Sequence, residues 1–307
     1  MKTKPFSRLL PAIIVIVLIL GLGAFLYSRF LARPLVIGAI IPIDTSLGNE
    51  ENLFIRGYRD SHRSIGRMPA SFLVENPPAT AEGIAEAYRR LDGLGASVIL
   101  GGVLSKDGVW LAGESARTGI PTFGITSSSA VLSGKKDAFF RLCPTNASQA
   151  AAVAKYYLQS GFKRLAAVTS VDNQVYVDPF MERLRGGYRG ELTQIPFDSS
   201  DSVSKAIGRY RPDAIFAILP AKDLIQVINA VRKSDPAIMI GSSSWGSVEI
   251  LSLYSGPILD GVLFFSYGSD LFGDEYKAEI AAFESKYSMT ATNGSHYFDS
   301  EIGIAHV

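Results

Sequence analysis

The stretch SVILGGVLSKDGVWLAGESARTGIPTFGITSSS, residues 97–129, decides the fold. Its apolar run at Ser97–Leu100 is short and lacks polar alternation, as fits a strand buried on both faces. Lys106–Thr118 reads as an amphipathic helix that Gly119 can stop. Pro121–Ile125 is a second apolar run, and the hydroxyl-rich Thr126–Ser129 follows it. Strand, helix, strand is the unit of a parallel sheet flanked by helices.

The same alternation extends in both directions. Towards the N-terminus, Leu35–Ile41 and Ser71–Glu75 read as strands, Leu53–Ile65 as a helix, and Thr80–Leu91 as a helix with Thr80 as its cap. After Phe139–Leu142 the alternation begins again. Helices are expected at Ala147–Ser160, Asp178–Gly186, Val203–Arg209, Asp223–Lys233, Val248–Tyr254 and Glu275–Tyr287. Strands are expected at Arg164–Thr169, Glu191–Pro196, Asp213–Leu219, Ala237–Gly241 and Gly261–Ser266. Two successive runs of this kind predict an α/β protein of two lobes, each a parallel sheet with helices on both faces. Residues 35–141 with 266–307 form the first lobe and 142–265 the second. Ligands of such sheets bind outside the carboxyl ends of the strands, so function belongs to the loops that follow strands.

The N-terminus is of another kind. Leu9–Tyr27 is uncharged and nearly all aliphatic, with Lys2, Lys4 and Arg8 before it and Arg29 and Arg33 after it. Its length approaches the roughly 20 residues of a transmembrane helix and exceeds the apolar core of a cleaved signal. Residues 1–34 are therefore read as a membrane anchor, with cleavage as the alternative. The basic flank favours a cytoplasmic N-terminus and an extracytoplasmic remainder, in the periplasm or outside the cell. Either outcome leaves the rest of the chain in that compartment.

Composition narrows the function. The net charge is +1 over 307 residues, without a basic block, which argues against nucleic acid as a partner. Cys143 is the single cysteine, so an intramolecular disulfide is excluded. His62, His296 and His306 lack metal-ligand spacing. No Gly-x-Ser-x-Gly elbow, phosphate-binding loop or Gly-x-Gly-x-x-Gly after a strand occurs, and no histidine neighbours the serine-rich loops. Neither an enzyme nor a cofactor is indicated.

Several post-strand segments carry a family resemblance. Leu35–Pro42 looks like a first strand, Val98–Ser105 like a third strand with its glycine-rich ligand loop, and Gly119–Ser129 like a fourth strand with a serine/threonine loop. Phe140–Ala150 is similar to a crossover segment, while Arg211–Ile215 and Gly241–Gly246 fit a second lobe. In order and spacing these resemble the type I periplasmic binding proteins, in the branch of leucine/isoleucine/valine-binding components of ABC transporters. The resemblance implies a ligand held between two lobes, delivery to a permease, and no catalysis. Members that hold an amino acid usually place an acid in the second-lobe loop, whereas Gly241–Gly246 reads Gly-Ser-Ser-Ser-Trp-Gly. By the same resemblance the chain is expected to stop early, within a helix of the first lobe.

The candidate ligand residues follow. Ser105, Thr126, Ser127 and Ser128 come after neighbouring strands, where hydroxyls and backbone N–H groups can cradle a carboxylate. Their plainer role is to cap helices and shape turns. Asp172 could face an ammonium or simply serve a turn. Tyr176 and Trp245 could lay rings on an apolar part of a ligand, beside Ser243 and Ser244. The expected function is an extracytoplasmic solute-binding protein for an amino acid or related carboxylate. The alternative is a membrane-anchored sensory or interaction module of the same fold, with altered or lost ligand binding.

Overall fold

The computed structural model describes residues 6–26, 34–43, 48, 52, 55–56, 64–65, 68–246, 257–265 and 285. Helix α1 (Phe6–Leu26) holds 21 residues, and every side chain from Ile13 to Leu26 is exposed. Among the described residues no helix is long and apolar enough to cross a membrane. The part of α1 with described side chains, 13–26, rises only about 21 Å.

Two sheets follow. The first contains β1 (Leu35–Ile40), β2 (Ser64–Ile65), β3 (Met68–Glu75), β4 (Val98–Gly101), β5 (Thr122–Gly124) and β6 (Phe139–Arg141), in the order β2-β3-β1-β4-β5-β6. Helices α2 (Ala81–Gly93) and α3 (Ser105–Thr118) connect its strands. The second contains β7 (Arg164–Thr169), β8 (Glu191–Pro196), β9 (Ala214–Ile218), β10 (Met239–Ser242) and β11 (Val262–Phe264), in the order β11-β10-β9-β7-β8. Its helices are α4 (Asn146–Gln159), α5 (Gln174–Gly187), α6 (Ser200–Tyr210) and α7 (Ala221–Ser234).

Strands without polar alternation form here because both faces of each sheet are covered. Val98, Ile99, Leu100 and Gly101 are all buried, as is every residue of β9. Ile37, Ala39, Val98 and Leu100 pack on one face of the first sheet. Ile40 and Ile99 pack on the other, with Tyr88 and Leu91 of α2 and Leu111 of α3. In the second sheet, Ala166 and Val168 face α6 and α7, while Leu165 and Ala167 face α4 and α5. Thr80 caps α2 as expected, its Oγ1 accepting from Gly83 N at 3.1 Å.

The structure corrects the expected elements in places. Ser64–Ile65 belongs to a strand antiparallel to β3 and not to the helix expected over Leu53–Ile65. That pairing makes the first sheet mixed at its edge. Helix α5 starts at Gln174, a turn before the expected Asp178, and carries Pro179 in its interior. The expected helices Val248–Tyr254 and Glu275–Tyr287 lie outside the described residues, Ser285 excepted. So do residues 266–284 and 286–307 of the expected first lobe, and all three histidines.

In each sheet the direction of winding reverses once. Strand β1 lies between β3 and β4, and β7 lies between β8 and β9. A reversal of this kind opens a crevice at the carboxyl ends of the strands. The loops after β4 and β5, and after β7 and β10, therefore hold the candidate site.

Candidate functional site: the cleft between the lobes

The first-lobe rim is built from two loops that lock each other. Gly102, after β4, has φ +80°, and a Cβ there would come within 2.5 Å of Ser127 Oγ. Glycine is required both for that left-handed backbone and for the close approach. Ser127 Oγ donates to Gly102 O at 2.8 Å and also contacts Leu104 O at 3.1 Å. Thr126 Oγ1 donates to Val103 O at 2.7 Å. Ser105, first residue of α3, accepts from Ser129 N at 3.1 Å. These hydroxyls hold the rim in shape.

Ser128 differs. Its carbonyl accepts from Asn146 N at 2.7 Å and from the Arg141 guanidinium at 3.2 Å. The residue is 4% exposed, and no hydrogen bond among the described residues uses its hydroxyl.

The second-lobe wall is assembled around Gln149 of α4. Tyr176 donates its phenolic hydrogen to Gln149 Oε1 at 3.1 Å, and Ser244 N donates to the same oxygen at 3.4 Å. Gln149 Nε2 donates to Phe265 O at 2.8 Å. The Trp245 ring meets Tyr176 edge to face at 5.8 Å between centroids. Burial lifts the Tyr176 phenol to about 12, with the Ser244 and Ser243 hydroxyls acting to lower it. Tyr176 is therefore a neutral donor at any physiological pH. Ser243 Oγ is fully buried beside it without a hydrogen bond of good geometry. Asn173, which caps α5 by position but not with its side chain, keeps a buried Oδ1 unpaired.

The lobes touch through Ser129, which donates to Val175 O at 2.6 Å. Asn146 bridges them too, with Oδ1 accepting from Ala130 N at 3.0 Å and Nδ2 donating to Tyr176 O at 2.7 Å.

The structure thus gathers Ser105, Thr126, Ser127 and Ser128 on one rim and Tyr176, Ser243 and Trp245 on the other. Asp172 stands apart. Its side chain is exposed, Ser170 Oγ accepts from its backbone N–H at 3.1 Å, and its charge falls on Asp223 of α7. Burial chiefly raises the Asp223 carboxyl, and Asp172 adds to the rise. Sequence reasoning missed Gln149, Asn146, Asn173, Ser129 and Arg141. The available signal was the Asn146/Gln149 pair, two polar residues three apart on the helix face that also carries Ala150 and Val153. Among the described residues no group of three or more His, Cys, Asp or Glu could hold a metal ion.

Comparison with known proteins bears on the fold. A family model described as periplasmic binding protein matches residues 37–299. A search of curated proteins finds no match. Among solved structures, a leucine-binding protein from Thermotoga maritima superposes with TM-score 0.76 at 19% identity, covering 89% of this chain and 82% of that one. A branched-chain amino acid transporter substrate-binding protein from Streptococcus pneumoniae, in complex with isoleucine, gives TM-score 0.75 at 15% identity, covering 89% and 83%. A solute-binding protein of an ABC transporter from R. palustris, in complex with benzoate, gives 0.69 at 20%, covering 84% and 75%. At such identities the likeness is one of fold.

Proposed function

Because this chain belongs to the periplasmic binding protein family, we propose that it is an extracytoplasmic solute-binding protein that closes two lobes on a small carboxylate-bearing ligand and presents it to an ABC permease. The lobes are residues 35–141 with 266–307, and 142–265. The chain binds and releases without chemistry.

One observation carries the reading. On the first rim no hydrogen bond among the described residues uses the Ser128 hydroxyl, in a residue 4% exposed; on the second, Ser243 Oγ and Asn173 Oδ1 are buried without a hydrogen bond. Each such group costs about 1–3 kcal/mol, and a polar guest that bonds to them removes that cost. Ser105, Thr126 and Ser127 shape the first rim. Trp245, packed edge to face on the buried Tyr176, offers aromatic surface on the second. The ligands named for the similar structures, leucine, isoleucine and benzoate, share a carboxylate and an apolar body, which suits these two walls.

A membrane anchor is part of this reading. The sequence of α1, Phe6–Leu26, supports it: its full 21 residues rise about 32 Å, close to the ~30 Å hydrocarbon core. Exposed Leu18 and Leu20 would be costly in water.

Thermal melting of the full chain in detergent, with a panel of amino acids and simple carboxylates including leucine and benzoate, tests the function. A true ligand at a hundred times its Kd adds about 2.7 kcal/mol, a shift of a few degrees. A folded protein that shifts with none of the panel argues for the second reading, a sensory or interaction module. That reading is favoured by one observation, the engagement of Tyr176 with Gln149, which already fills the second wall with protein atoms.

A further inference from the structure

Pro179 lies inside α5. A proline has no N–H, and its ring pushes against the carbonyl four residues earlier. In α5 that carbonyl is Val175 O, which therefore lacks the donor four residues on that an α-helix would give it. Ser129, from the loop after β5 in the other lobe, donates to that same oxygen at 2.6 Å. The next carbonyl, Tyr176 O, accepts from Asn146 Nδ2 at 2.7 Å. The loop that delivers Ser129 is itself pinned: Arg141 donates to Ser129 O at 2.8 Å, and Ser129 N donates to Ser105 Oγ at 3.1 Å. A proline-freed acceptor on one lobe thus meets a fixed hydroxyl donor on the other. The contact needs no ligand.

We propose that Ser129 and the Val175 carbonyl freed by Pro179 form a latch between the lobes that favours the closed arrangement before any solute is bound. The latch regulates access to the site: it lowers the cost of closing on a ligand and slows reopening. Apart from the two-lobed architecture it requires nothing of the ligand. A closed state already populated in the free protein leaves a ligand less population to shift and raises its apparent affinity, while its differential affinity for the two states is unchanged.

Paired spin labels at Glu82→Cys on α2 and Lys205→Cys on α6, both exposed positions, in the full chain carrying Cys143→Ala, report the separation of the lobes without added ligand. Ser129→Ala should raise the open-to-closed ratio about five-fold, the size of one neutral hydrogen bond. Pro179→Ala should do the same with Ser129 intact, because the restored N–H at position 179 takes Val175 O within the helix. The double variant should open no further than either single. Pro179→Ala favours the helix and will fold, so it decides the matter even if Ser129→Ala does not. An unchanged distance distribution in Pro179→Ala, or additive opening in the double variant, overturns the latch. Because no ligand enters the measurement, a failed ligand screen leaves it standing, and its own failure leaves the solute-binding reading untouched.

Discussion

Gln149 Oε1 lies 3.1 Å from the Tyr176 hydroxyl, in a buried bond that joins α4 to α5. The same oxygen takes Ser244 N from the loop after β10, and the amide of Gln149 reaches Phe265 O after β11. One side chain thus ties together the parts of the second-lobe wall. Gln149→Leu removes every one of these bonds at once, which should cost about 2–4 kcal/mol. Tyr176→Phe removes a donor and leaves Gln149 Oε1 still bonded to Ser244 N, which should cost about 1 kcal/mol. Urea denaturation of both variants checks the order; equal losses would show that Gln149 is not the organiser.

The Tyr176 phenol also fixes an alkaline limit. Burial raises it from the ordinary value of 10.0 to about 12 in the folded protein. Between those values the unfolded chain gives up a proton that the folded chain keeps, so unfolding is favoured as pH rises. The stabilisation is complete below pH 10 and is lost on the way to pH 12, by roughly 2–3 kcal/mol at about 1.4 per unit. Burial raises Tyr157 as well, which acts in the same direction. Melting temperature measured from pH 8 to 12 should fall above pH 10, and Tyr176→Phe should fall less steeply. Parallel curves would remove Tyr176 from the account.

How much of this was legible in the sequence follows from where each signal resides. The apolar run Arg164–Thr169 forms a strand with the limits that the sequence predicts, because a buried parallel strand announces itself by composition; the more polar Glu191–Pro196, an edge strand, keeps its expected limits too. The start of α5 was misplaced because Pro179 looks like a first helical residue, its favoured position. Packing of Tyr176, Val177 and Phe180 against the sheet carries the helix one turn further back. Post-strand serines were legible as a group, since topology puts such loops at the cleft. Which of them shape the rim was not legible, because Ser127 and Ser128 are neighbours with opposite hydrogen-bond fates. Gln149 escaped notice because its partners come from 27 to 116 residues away in the chain.

Gly95 and Gly102 offer a controlled pair. Both have φ +80°, but nothing lies within 4 Å of a Cβ at Gly95, while one at Gly102 would meet Ser127 Oγ at 2.5 Å. Alanine at either position bears the left-handed backbone penalty of roughly 1–2 kcal/mol. At Gly102 it must also displace Ser127 from Gly102 O and Leu104 O. Gly102→Ala should therefore destabilise by about 1–2 kcal/mol more than Gly95→Ala, and it alone should abolish ligand-induced thermal shifts. Equal melting temperatures in the two variants would mean that the rim yields without cost.

Ser127 and Ser128 separate structure from binding most sharply. Ser127 Oγ is spent on Gly102 O and Leu104 O, so Ser127→Ala should lower the stability of the free protein by about 1–2 kcal/mol. No hydrogen bond among the described residues uses Ser128 Oγ, in a residue 4% exposed, so its removal takes away no bond of the free protein. Ser128→Ala should leave the free protein unchanged or slightly more stable. In the presence of ligand the order reverses. A hydroxyl that bonds a carboxylate contributes about 1.5–3 kcal/mol, so Ser128→Ala should weaken binding by roughly ten- to a hundred-fold and shrink the ligand-induced thermal shift accordingly. Thermal melts of both variants, with and without a ligand found by the carboxylate panel, measure all four quantities. A Ser128→Ala protein that keeps the full ligand-induced shift would place the ligand elsewhere on the rim, beyond reach of this hydroxyl.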